Sequence, residues 1–151
     1  MKKQVLIVLL AILTFSCNSD EDNSSVATIE STLIAKSNLF GNGQEGIAQQ
    51  NMVIRDQSTW ESLIAQMNSV SNVTDNFTET DIDFSQYTII AVFDEIKPNG
   101  GHVLDLNVVS NSGSIVVQIT DLVLVGDDTG LITQPFHIVK IPVSGLPIVF
   151  E

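Results

Sequence analysis

His102 and His137 are the first residues in this chain that could move a proton near neutral pH, because imidazole titrates there without help from its surroundings. His102 follows a double glycine and shares its strand face with Leu104. His137 alternates with Phe136 and Ile138, which turns it to the side of Val139; a pairing of the two rings stays open. No acid motif lies beside either ring, and no serine or cysteine sits in a nucleophile elbow. The expectation is therefore a chain without catalytic residues and without a cofactor. Asp81 and Asp83, with Asp127 and Asp128, offer the hard oxygen ligands that calcium takes, although neither stretch forms an EF-hand loop ending in a bidentate glutamate. Trp60 could serve as a platform for a sugar ring, but its helical spacing with Ile64 and Met67 assigns it to a core.

The most distinctive local segment is Lys97-Pro98-Asn99-Gly100-Gly101-His102. Asn-Gly-Gly permits positive φ at consecutive positions, so the expectation is a tight, exposed hairpin turn between two strands. Exposed loops on a rigid scaffold are where binding residues concentrate. Lys97 could there meet a carboxylate of a protein partner, or could simply keep the hairpin soluble.

An address is written at the amino end. Lys2 and Lys3 precede nine apolar residues, Val5 to Leu13, and Cys17 is the only cysteine. That run is too short for a bilayer, which needs about 20 residues, and reads as a secretion signal over 1–16. A lone cysteine preceded by Ser16 resembles a bacterial lipoprotein signal, in which the thiol is acylated and becomes the first residue. The alternative is an ordinary signal peptide with an incidental cysteine. Residues 17–27 then form a lipidated acidic tether, too polar to order itself. Its Ser19-Asp20-Glu21-Asp22 is similar to the segment that marks lipoproteins of the Bacteroidota for the cell surface. The expected place is the outer membrane, at the cell surface or, alternatively, facing the periplasm.

Past Cys17 only Lys36, Arg55, Lys97 and Lys140 oppose all 18 acidic residues, and four minus 18 gives a formal charge of −14. Such a surface repels phosphate backbones and excludes nucleic acid as a partner. It also repels anionic lipid, so a lipid anchor must hold the chain to its membrane. With no second cysteine, neither a disulfide nor a thiolate metal site is possible in the monomer.

The elements that must position these residues are mostly strands. Residues 28–35 and 46–54 read as strands around the turn Gly41-Asn42-Gly43. Ser58, with Glu61 three residues on, predicts a capping box, and Trp60, Leu63, Ile64 and Met67 predict one apolar helix face. The polar stretch 69–85 carries Phe77, Ile82 and Phe84 as tie-down points. Residues 87–94 form a nearly continuous apolar run, as expected of a central strand covered on both faces. Residues 102–110 alternate, Asn111-Ser112-Gly113 predicts a hairpin, and 114–125 is long enough for two strands with a kink near Thr120-Asp121. Residues 136–141 and 146–150 close the pattern, with Pro142 and Pro147 pointing to edges or strand starts. The predicted architecture over 28–151 is a single α+β domain, β-dominant, an antiparallel sheet covered by one amphipathic helix.

Two segments in this order resemble a known family, the C-terminal domain of PrcB, a protease complex subunit. Its pattern is a strand ending in a Pro-Thr-Gly-Gly-Tyr-like turn, an alternating strand, and later a Thr-x-Pro-Tyr-like entry to another strand. The corresponding residues are Ile89 to Asp94 with Lys97 to His102, then Thr133-Gln134-Pro135-Phe136. Asn99 stands for the threonine, and His102 and Phe136 for the tyrosines. The resemblance spans about residues 56–150 and implies a non-catalytic partner of an extracellular protease, with no catalytic residues to carry over. The rival reading of the sequence is a calcium- or glycan-binding accessory lipoprotein using Asp81, Asp83, Asp127 and Asp128.

Overall fold

The computed structural model describes residues 26–124, 126 and 130–151. Cys17, the tether through Ser25, and Asp127 and Asp128 lie outside these residues. The architecture is α+β and β-dominant, with one helix and two four-stranded sheets stacked in three layers. Eight strands run in chain order: β1 (Ala27–Thr28), β2 (Thr32–Leu39), β3 (Gln50–Ile54), β4 (Tyr87–Phe93), β5 (His102–Ser110), β6 (Ile115–Val123), β7 (Gln134–Pro142) and β8 (Ile148–Phe150). Helix α1 (Gln57–Met67) lies between β3 and β4 in the chain.

The strand Tyr-Thr-Ile-Ile-Ala-Val-Phe of β4 has no polar face to give to water, so both its faces must be covered. It sits inside the sheet β2-β7-β4-β3, all antiparallel. Ile89, Ala91 and Phe93 point to the helix side, where Trp60, Leu63 and Met67 of α1 meet them with Phe136 and Ile138. Ile90 and Val92 point the other way, into a second core shared with Leu104, Val108, Ile115 and Val117 of the sheet β1-β5-β6-β8. Strand β8 runs parallel to β6, the one parallel pairing among the described strands.

The polar stretch after α1 is a cover. Phe77 stacks on Trp60 at 6.2 Å between ring centroids, Ile82 is buried, and Phe84 is half-buried in the same core. The indole Nε1–H of Trp60 donates to the Thr80 carbonyl at 2.9 Å, which ties this cover to the helix. Within it, Val73–Asn76 forms a short 3-10 turn that the sequence pattern does not announce.

Several sequence expectations need correction. The helix cap is Asp56, not Ser58: its carboxylate accepts from the Thr59 N–H at 2.9 Å and from the Thr59 hydroxyl at 2.8 Å. These bonds hold the Asp56 carboxyl below its ordinary pKa. Glu61 does not close a box; it accepts from the Gln57 amide one turn earlier. β6 is one continuous strand without a kink at Thr120-Asp121, because β5 pairs with it along its whole length. The predicted hairpin at Asn111 does form, with Asn111 Oδ1 accepting from the N–H groups of Gly113 and Ser114. Pro142 ends β7, an inner strand, rather than lying on an edge; Pro147 precedes the edge strand β8.

Candidate functional site

The segment 94–102 is not a hairpin. β4 belongs to the first sheet and β5 to the second, so these residues carry the chain from one sheet to the other across one end of the stack. That crossing explains the glycines. Gly101 adopts a φ of 82°, where a side chain would be strained, while Gly100 does not adopt positive φ. Both glycines are buried, and Gly101 accepts from the Leu124 N–H at 2.8 Å, which welds the turn to the end of β6.

The two sequence segments singled out above lie side by side. Lys97 and Thr133 exchange both backbone hydrogen bonds, at 2.7 and 3.1 Å, and the Thr133 hydroxyl donates to the Asn99 carbonyl. The Asp94 N–H donates to the Pro135 carbonyl. The buried Gln134 amide donates to the carbonyls of Ile47 and Asp94, so three chain segments share one side chain. The backbone of the turn is held at every second residue or so, which makes it a rigid feature.

Lys97 is not free to meet a partner's carboxylate. Its ammonium sits 2.9 Å from Asp94, 3.2 Å from Glu95 and 3.4 Å from Asp121, with only 13% of its side chain exposed. Burial is the largest single influence and disfavours its charge. The bonds from Asp94, Glu95 and Asp121 together outweigh it and raise the ammonium pKa above its ordinary value. His102 joins the same group, its Nδ1 lying 3.2 Å from Asp121 Oδ2. One ammonium thus faces three carboxylates, an excess of negative charge around Lys97. Asp94 and Glu95 come from the end of the first sheet and Asp121 from the second, so a single ammonium bridges both layers. Sequence reasoning missed this cluster because Asp121 is 24 positions from Lys97, although Asp94 and Lys97 are only three apart.

His137 does not pair with His102. It lies between the sheets, as its alternation with Val139 implies, and its Nδ1–H donates to the Leu104 carbonyl at 3.0 Å. Burial is the largest influence and pushes its pKa down; the bond to the Leu104 carbonyl pulls it partly back, and the Lys36 ammonium (downward) and Asp105 (upward) act less strongly. Lys36 itself is bonded to Asp105 at 2.8 Å, which lowers that carboxyl's pKa. Depression of a histidine pKa means that the unfolded chain binds the proton first, so stability falls as pH drops below about 6.5. A single proton limits that slope to about 1.4 kcal/mol per pH unit. His137→Gln, which can still donate to Leu104, should flatten chemical denaturation midpoints between pH 7 and 5; an unchanged slope would show that His137 is not the sensor.

Of the carboxylates considered for calcium, Asp83 is already occupied. It accepts from the Ser85 hydroxyl, the Gln86 amide and the Ser85 N–H, which lower its pKa and shape the turn into β4. Asp81 is exposed. Among the described residues no three His, Cys, Asp or Glu side chains group as a metal site would require. Trp60 is fully buried, which removes it as a sugar platform. Among the described residues, no helix is long and apolar enough to cross a membrane.

No family model matches the chain, and comparisons with curated proteins and with solved structures find no significant match.

Proposed function

We propose that this chain is a non-catalytic protein-interaction module, lipid-anchored through Cys17 at the outer membrane, that serves as an accessory subunit or regulator of an extracellular protease. The observation that carries the reading is the ordered platform at one end of the stack. There the turn 97–102 and the strand entry 133–136 are bonded directly to each other. These are the two segments in which the sequence resembles the PrcB C-terminal domain, and their adjacency gives that resemblance a spatial meaning. Support also comes from the histidines, whose ring nitrogens are engaged in separate structural networks rather than joined around a reacting group.

The platform presents Glu95 and Pro98 to solvent, whereas Lys97, Gly100 and Gly101 are held inside it. Substitutions at the two exposed positions therefore test binding without disturbing the fold. Full-length protein carrying Glu95→Gln and Pro98→Glu should retain its melting temperature and recover at least tenfold less secreted protease after cross-linking on intact cells. In the same experiment Cys17→Ala should move the protein out of the membrane fraction. Wild-type recovery of no protease at all, or equal recovery by the double variant, would overturn the reading of this platform.

A further inference from the structure

We propose that the hollow between the outer edge of β2 and the segment 71–77 binds a single neutral sugar ring. Such a site goes beyond the interaction-module reading and stands independently of it. The hollow measures about 260 Å³. Small-molecule sites run to about 300–1,000 Å³, so this one has room for a ring and not for a nucleotide or a longer chain. Phe40, 59% exposed, and the half-buried Phe77 give it aromatic surface. Ser37, Ser71, Asn72 and Asn76 give it hydroxyl and amide groups.

The wall formed by 71–77 is fixed from outside the hollow. Asn68, just past the end of α1, clamps it: the Asn68 amide donates to the Thr74 hydroxyl at 2.7 Å, and its Oδ1 accepts from the Thr74 N–H at 3.1 Å. At the other end Thr78 pins the chain to β2, donating from its N–H to the Ile34 carbonyl and from its hydroxyl to that of Leu33. Between these two fastenings, among the described residues, no hydrogen bond joins 71–77 to 35–40. The gap is therefore held open by rigid neighbours. The side chains of Ser37, Ser71, Asn72 and Asn76 make no hydrogen bond to any described residue, so all four are uncommitted. A ligand meets them without first breaking a bond of the fold, which lowers the cost of binding.

The mixture selects the ligand. A pyranose carries C–H groups on its faces and hydroxyls around its rim. The negative face of an aromatic ring suits the first, and amides and hydroxyls that both donate and accept suit the second. Charge argues against anions. Lys36 is the charged side chain lining the hollow, and its ammonium is already held by Asp105 at 2.8 Å. The net charge of −12 opposes a phosphate or carboxylate as well. A wholly apolar ligand would take water from the four polar side chains and return no partner.

The test is a magnetic-resonance titration of isotope-labelled full-length protein, in neutral micelles whose detergent has no sugar headgroup. The probes are the methyl glycosides of glucose, galactose and mannose at millimolar concentration. At least one should shift the amide signals of Asn72, Asn76 and Phe77 to saturation. Phe40→Ala and, separately, Asn76→Ala, both at exposed positions, should each weaken that binding roughly tenfold with melting unchanged. For the sugar that binds, tighter binding of its tetrasaccharide identifies a glycan as the source and equal binding a free sugar; both support the site. No saturable shift with any of the three, or binding that neither substitution weakens, would overturn the proposal. Tighter binding of glucuronate would overturn it in favour of an anion at Lys36, and tighter binding of indole in favour of a flat apolar ligand.

Discussion

Trp60→Ala should remove about 3–5 kcal/mol of stability, the largest loss expected of any single substitution in the helix. The indole is fully buried, stacks on Phe77, and is the helix residue that reaches across to the cover at Thr80. Truncation leaves a cavity beneath the only α-helix described and an unpaired carbonyl at its rim. Against a typical total of about 5–15 kcal/mol, the variant should be largely unfolded at 37 °C or melt far below wild type. Trp60→Phe separates the two parts of the loss, since it keeps a ring but removes the N–H, and should cost about 1–3 kcal/mol. Urea denaturation followed by circular dichroism measures both. A Trp60→Ala midpoint close to wild type would mean that α1 is not docked as described.

Lys97→Ala should be of similar size for a different reason. Its strongest partner, Asp94, has a side chain only 10% exposed, and removing one member of a buried pair costs about 3–5 kcal/mol because the other charge is left stranded. Glu95 is 65% exposed, so its share is slight. Lys97→Ala combined with Asp94→Asn should recover most of the loss, because the stranded charge goes with it; failure of that rescue would assign the cost to packing of the lysine stem. The pH dependence has a definite sign. The folded ammonium holds its proton more tightly than an unfolded lysine does, so this stability is complete below about pH 10.4 and fades as pH rises further. A Lys97→Met variant should lack that alkaline loss.

The parts of this molecule legible in its sequence are those set by local pattern. The apolar face of α1, the doubly buried β4, the alternation of β5 and the Asn111 turn each follow from neighbours a few residues away, and each is found. The capping residue was misplaced because Ser58 and Asp56 both have the chemistry of a cap, and only the path of the chain leaving β3 decides between them. The hairpin expected at Gly100-Gly101 failed for a long-range reason: turn-forming residues report a change of direction, not which sheet receives the next strand. The same limit hid the Lys97 cluster, since Asp121 reaches it only after β5 and β6 have paired. The charge of Lys97, which the sequence offers to a partner's carboxylate, is already claimed by its own neighbours.

The position of β7 has a consequence for how the molecule comes into being. The first sheet is ordered β2-β7-β4-β3, so a strand from late in the chain must be inserted between two that are made much earlier. Until Gln134–Pro142 has left the ribosome, β2 has no partner and β4 can pair only with β3. A topology dominated by such distant pairings closes slowly, in roughly milliseconds to seconds. Completion of the first sheet therefore waits on the arrival of a single late segment.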